Sequence, residues 1–158
     1  TELLRKMIPL KKKWACQSSI DVAFQEDLLR LMKKSGCISI LIGFESLSMN
    51  NLKDMNKHLN IRYSDYPEAI KKIKNHKIMI YGSFLAGYDN DTLDNIDKTA
   101  NFAINNKFLL TNFNPLMPLP KTRLYNKLET EGRLTYKKWW LEDAYRYGKA
   151  LMIPKNIF

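Results

Sequence analysis

Apolar positions in this chain switch between two periods. From Glu26 to Lys34 they fall at helical spacing, with Leu28, Leu29, Leu31 and Met32 as the apolar set. From Ile38 to Ile42 they run with no polar alternation, the mark of a strand buried on both faces. That run passes into Gly43-Phe44-Glu45-Ser46. A carboxylate thus follows the C-terminal end of a buried strand, where parallel α/β sheets keep their chemistry.

The same reading extends along the chain. Trp14 to Ser18 forms a short strand with Gln17 and Ser18 at its end, and Asp21 is a helix cap. Lys33, Lys34 and Ser35-Gly36 close the first amphipathic helix. Met49 to Met55 is a short helical piece, and Asn56 to Arg62 a polar loop. Ser64 or Asp65 caps the next helix, with Pro67 in its first turn and Ala69, Ile70 and Ile73 on one face. A third strand runs from Lys77 to Ala86 and ends at Gly87; Tyr88 to Asp91 then reads as an Asx-type turn. Thr92 to Asn105 is helical, and a fourth strand near 107–114 ends in a Pro-rich tip. Two closing helices, Thr122 to Glu131 and Leu134 to Tyr147, are divided by Gly132.

Strands and helices therefore alternate, which predicts one α/β domain over 1–158 with a parallel sheet of about four strands and all tips on one edge. Four strands cannot close the usual barrel, which takes about eight. The expected architecture is a partial (β/α) barrel whose first strand, Trp14 to Ser18, presents an open edge. That edge leads us to expect further strands before Thr1, where the chain begins without Met, and self-association of the chain taken alone.

Composition adds bounds. Hydrophobic residues are 45% and charged residues 27% of the 158 positions, ordinary for a folded protein. No apolar run approaches the ~20 residues of a membrane span. Two cysteines, Cys16 and Cys37, make no disulfide framework, so a reducing cytoplasm is expected. The net charge of +10 raises the alternative of a basic RNA-binding domain. The lysines are scattered over helix ends and polar faces, so nucleic acid is not the expected partner.

Taken in order, the strand tips resemble a known family. The residues are Lys13-Trp14-Ala15-Cys16-Gln17-Ser18-Ser19-Ile20, Gly43-Phe44-Glu45-Ser46-Leu47, Met55-Asn56-Lys57, Tyr81-Gly82-Ser83-Phe84, Gly87-Tyr88-Asp89 with Asp91-Thr92, and Asn114 to Pro120. Glu131-Gly132-Arg133-Leu134 and Trp139-Trp140 complete the series. The chain resembles the C-terminal part of the catalytic domain of radical S-adenosylmethionine (SAM) enzymes of the cobalamin-binding group, which includes magnesium-protoporphyrin monomethyl ester oxidative cyclases.

The resemblance implies the last four strands of a six-stranded partial barrel. It implies a parent that uses a 4Fe–4S cluster to make a 5′-deoxyadenosyl radical from SAM, with cobalamin on another domain and a small-molecule substrate. The cluster would sit on a Cys-x3-Cys-x2-Cys loop that this chain does not contain, so the chain alone is expected to be inactive. The resemblance places Glu45 beside SAM. Gln17 and Ser18 would take the methionine carboxylate or substrate, Ser83 and Gly87 would approach adenine or substrate, and Asn114 and Pro115 would offer backbone to the adenine. One departure is Lys121, where the family usually has Gly. A non-catalytic binding or assembly module of the same fold is the alternative reading.

Other candidates read as structural. Cys16 and Cys37 are expected to be core thiols, and His58 and His76 surface histidines. Asp89, Asn90, Asp91 and Asp94 lack the spacing of a calcium loop and read as a capped turn. Trp139, Trp140, Tyr136, Tyr145 and Tyr147 offer stacking surfaces for bases, or packing against the barrel wall.

Overall fold

The structure is a computed structural model and describes residues 1–146 and 149–155. A short helix α1 (Glu2–Met7) leads into strand β1 (Trp14–Ser18). Then follow α2 (Glu26–Lys34), β2 (Cys37–Glu45), α3 (Met49–Asp54), α4 (His58–Arg62) and α5 (Tyr66–Asn75). The remainder is β3 (Met79–Ala86), α6 (Leu93–Asn105), β4 (Leu110–Pro115) and α7 (Arg123–Thr130). The four strands pair in the order β1-β2-β3-β4, all parallel. This is the α/β arrangement that the alternating pattern predicts, with the four tips on one edge.

The two faces of the sheet differ. Ile40, Ile42 and Phe44 of β2 and Ile80 and Phe84 of β3 are buried with Leu29 and Met32 of α2, Ala69, Ile70 and Ile73 of α5 and Ala103 of α6. Phe44 is the centre of an aromatic cluster, 5.5 Å from Phe84, 5.2 Å from Phe108 and 5.0 Å from Tyr66 between ring centroids. Gly82 leaves room for it, since a Cβ there would lie 2.6 Å from the Phe108 ring. The opposite face carries Gln17, Leu41, Tyr81 and Leu110 in one paired row, and Gly43, Ser83 and Asn112 in the next. Among the described residues no helix covers it, and Leu110 is 58% exposed. The run Ile38 to Ile42 is therefore buried on one face, not both.

Several local expectations change. Asp21 caps no α-helix; it sits in a 3-10 turn, Ile20–Phe24, and accepts from Ser19 Oγ. Residues 56–62 are not a loop throughout, because α4 forms there. His76 is half-buried, its Nε2 2.9 Å from Glu26 Oε1. Asp65 caps α5 by accepting from Glu68 N at 3.0 Å, and Ser48, Thr92 and Thr122 cap α3, α6 and α7.

The second closing helix, Leu134 to Tyr147, does not form over its described residues; only a 3-10 turn, Trp139–Leu141, appears. Its first residues are held extended instead. Leu134 bridges Met152, Thr135 N donates to Leu151 O, and Ile153 N donates to Arg133 O. Trp139 Nε1 donates to Pro118 O at 3.0 Å, and Trp140 packs on Tyr125. These tertiary bonds consume the backbone groups a helix would need. Tyr147 lies outside the described residues.

Candidate functional site

Glu45 ends β2 in the left-handed region, with φ 64°. A non-glycine residue there is strained and must be held by its surroundings. The register slips at this point, from Gly43 opposite Ser83 to Glu45 opposite Phe84. Buried Asn60 of α4 donates through Nδ2 to the carbonyls of Gly43 (2.8 Å) and Phe44 (3.1 Å). The Tyr66 hydroxyl donates to Phe44 O at 3.0 Å, and Ser46 N to the same oxygen at 2.8 Å. Burial pushes the Tyr66 phenol above its ordinary value, so it stays a donor.

The kinked tip folds the Glu45 carboxylate back over Gly43, where a Cβ would lie 2.8 Å from its Oε1. The same oxygen is 2.7 Å from Lys57 Nζ, with the Glu45 side chain 16% exposed. Gln17, Ser18, Gly43, Glu45, Lys57 and Asn60 line a cleft of about 510 Å³ at the tips of β1 and β2. Gln17 and Ser18 leave β1 on opposite faces, since Gln17 pairs with Leu41 and Ser18 with Ile42. Both reach the cleft because the strand ends there. A second cavity of about 250 Å³ lies on the other side of Glu45, against Ser46, Phe84, Ala86, Asp91 and Phe113.

The remaining expected residues sit on the next two tips. Asn114 Nδ2 donates to Ser83 Oγ at 3.3 Å, which joins β3 and β4 on the open face. Gly87 has φ 112°, and its N–H is taken by Asp91 Oδ2 at 2.8 Å. Pro115 ends β4 opposite Ala86. Ser83, Gly87, Asn114 and Pro115 line neither of these two cavities.

A buried polar chain ties the tips together. Ser46 Oγ accepts from Ser48 N (3.0 Å) and from Asn51 Nδ2 (3.5 Å). Asn51 Nδ2 also donates to Asp91 Oδ1 at 2.5 Å. Asn51 is fully buried, and its Oδ1 has no partner among the described residues. The capped turn read at 88–91 is thus present, and it also anchors the β2 tip. Asp89 pairs with Arg133 in a forked contact, with Lys127 and Lys155 near it. Hydrogen bonding from Arg133 holds the Asp89 carboxyl below its ordinary range.

Sequence reasoning did not single out Lys57, Asn60, Tyr66 or Asn51. Lys57 did carry a signal, since it belongs to the Met55-Asn56-Lys57 element. Asn60 carried none; a polar residue in a polar stretch shows nothing of the carbonyls it will meet. The two cysteines lie far apart in sequence yet adjoin in the sheet. Burial pushes the Cys37 thiol up to about 12, and Cys16 upward as well. Protonated, core-facing thiols do not suit an iron–sulfur cluster, which binds thiolates. Among the described residues no three His, Cys, Asp or Glu side chains converge to hold a metal ion. A 4Fe–4S cluster therefore does not fit the residues present here. At the tip cleft the Glu45 carboxylate lies over Gly43 with the Lys57 ammonium beside it, a charge pair complementary to the ammonium and carboxylate that end SAM.

The chain is similar to known proteins in both sequence and fold. The bacteriochlorophyllide d C-12(1)-methyltransferase of Chlorobaculum tepidum is 33% identical over 156 residues, 99% of this chain and 33% of that protein. The anaerobic magnesium-protoporphyrin IX monomethyl ester cyclase of Cereibacter sphaeroides is 26% identical over 99% of this chain and 24% of its own length. No family model matches. In structure, the chain is similar to the radical SAM methyltransferase TsrM of Kitasatospora setae, solved with cobalamin and a [4Fe–4S] cluster bound. The TM-score is 0.66 at 14% identity, covering 82% of this chain and 25% of that one. The fold is thus that of a parallel α/β portion of a radical SAM enzyme. By sequence the chain is similar to a bacteriochlorophyllide d methyltransferase and a magnesium-protoporphyrin IX monomethyl ester cyclase, and in fold to a radical SAM methyltransferase; it spans a quarter to a third of the length of the relatives named here. Among the described residues, no helix is long and apolar enough to cross a membrane.

Proposed function

We propose that this chain is the C-terminal part of a radical SAM catalytic domain and supplies one wall of its SAM pocket. The observation that carries the reading is the Glu45–Lys57 pair, 2.7 Å apart at the rim of the tip cleft. SAM ends in an ammonium and a carboxylate and also carries a ribose diol. Glu45 accepts from the ammonium or the diol, Lys57 meets the carboxylate, and Gln17 and Ser18 supply neutral hydrogen bonds beside them. Ser83, Gly87, Asn114 and Pro115 form the next part of the wall, toward the adenine or the substrate.

When bound, SAM would supply 5′-deoxyadenosyl radical chemistry on one-electron reduction, releasing methionine, and the residues of this chain would hold and orient it. The relatives methylate bacteriochlorophyllide d or close a ring on magnesium-protoporphyrin monomethyl ester, as their names state. A tetrapyrrole methylation or ring-forming oxidation is the reaction class we assign to the parent, with cobalamin as a further cofactor. The test is direct. The reading frame upstream of Thr1 should encode a Cys-x3-Cys-x2-Cys run. The full-length protein should bind SAM in equilibrium dialysis, and Glu45→Gln should weaken that binding by about tenfold or more. A parent without the cysteines would favour the non-catalytic module. Unchanged affinity in Glu45→Gln would remove Glu45 from the pocket.

A further inference from the structure

The 3-10 turn Trp139–Leu141 raises large apolar side chains into solvent: Leu141 is 70% exposed and Trp140 43%, and Leu119 beside the turn is 51% exposed. Apolar side chains grouped on a surface mark a place where something docks. The turn itself is firmly seated. Trp139 Nε1 donates to Pro118 O, the Tyr125 hydroxyl donates to Lys137 O, and Trp140 lies against Tyr125. Pro118 brings Leu119 alongside, and Thr122 fixes that second projection by donating through N and Oγ1 to Leu119 O. The exposure is built into the packing and is not the fraying of a loose end.

Basic side chains frame this apolar tip. Lys137 and Lys138 precede Trp139, Lys121 follows Leu119-Pro120, and all three are exposed. Glu142 and Asp143 come after Leu141 and are followed by Arg146 and Lys149, so cations outnumber acids around the tip. The cores of protein–protein interfaces are poor in lysine. A nucleic-acid base needs an open ring face to stack on. The Trp139 ring is already crowded by Trp140 at 5.8 Å and Tyr145 at 5.3 Å, and Leu119 and Leu141 offer a base no ring at all. A bilayer surface uses all of these groups at once. Tryptophan sits at headgroup level, leucine enters the acyl boundary, and lysine keeps its ammonium at anionic headgroups. We propose that Trp140, Leu141 and Leu119 form a tip that docks on the surface of an anionic lipid bilayer, drawn there by Lys121, Lys137 and Lys138. The contact is peripheral and independent of the SAM reading.

The test is co-sedimentation of the full-length protein with vesicles. It should pellet with equal parts of phosphatidylcholine and phosphatidylglycerol, release in high salt, and stay largely in solution with phosphatidylcholine alone. Replacing both lysines, Lys137→Gln with Lys138→Gln, should weaken partition about tenfold, and Leu141→Asp should do so similarly. Thermal melts run alongside; if Leu141→Asp lowers the Tm, the lysine pair decides. Protein that stays in solution with the anionic vesicles, or partition unchanged in the lysine variant, overturns the inference. Equal binding to both vesicle types removes the lysines from the contact and overturns it as well. Retention of a single-stranded RNA oligonucleotide, lost in the lysine variant while vesicles are ignored, would assign the tip to nucleic acid instead.

Discussion

Asn60 holds the main-chain oxygens of Gly43 and Phe44 at 2.8 and 3.1 Å, and so fixes the left-handed turn at Glu45. A strained backbone at a strand tip persists only where its neighbours hold it. Here one amide on a five-residue helix does much of that holding, helped by the Tyr66 hydroxyl. Asn60→Ala should lower stability by roughly 1–3 kcal/mol, because the Gly43 oxygen loses its side-chain donor. Urea denaturation measures this. Tyr66→Phe should cost less, since Phe44 O keeps two other donors. The reverse order would show that Asn60 is not the principal hold.

Gly43 allows the carboxylate to lie over the backbone. In Gly43→Ala the new Cβ would meet Glu45 Oε1 at 2.8 Å. The flexible carboxylate end can move aside, so stability should change by less than about 1 kcal/mol. The Glu45–Lys57 pair would be displaced, and SAM affinity of the full-length protein should fall about tenfold. Calorimetric titration alongside thermal melts separates the two effects. A large loss of stability with unchanged affinity would contradict the arrangement.

Asp89 gives the tertiary structure a pH dependence. Its carboxyl is held low mainly by the hydrogen bond from Arg133. The unfolded carboxyl titrates near about 3.9 and the folded one below that. The stabilising contribution is therefore present above about pH 4 and is lost as pH falls through the folded value. Wild type should exceed Asp89→Asn in urea melts at pH 7, and the gap should close toward pH 2. A gap that persists unchanged into acid would rule out the ionic contribution.

Lys121 stands where the resembling family usually has Gly, and it adopts φ 65°. Lysine bears the steric cost of this left-handed conformation. Lys121→Gly should therefore raise stability by up to about 1 kcal/mol, the left-handed penalty less the added chain entropy. Thermal unfolding would register this as a small rise in Tm, and a fall would show that the Lys121 side chain makes up the cost elsewhere.

The sequence by itself determined the alternation of elements, the parallel sheet, a cap at Ser64 or Asp65, and the row of tips with Glu45 at its centre. These are set by local periodicity and by side chains that bond their own backbone. It also carried the family likeness, since motif order survives in one dimension. Tertiary structure decided the rest. The run from Ile38 to Ile42 has apolar or small residues on both sides, yet only one side meets helices. Asn60, Tyr66 and Asn51 act on main-chain or side-chain groups 16 to 40 residues away, which no local pattern encodes. The closing segment after Gly132 has helix-forming residues but pairs with Met152 and Pro118 instead. Long-range hydrogen bonds decided these places because each consumed a backbone or side-chain group that local preference alone would have left to another partner.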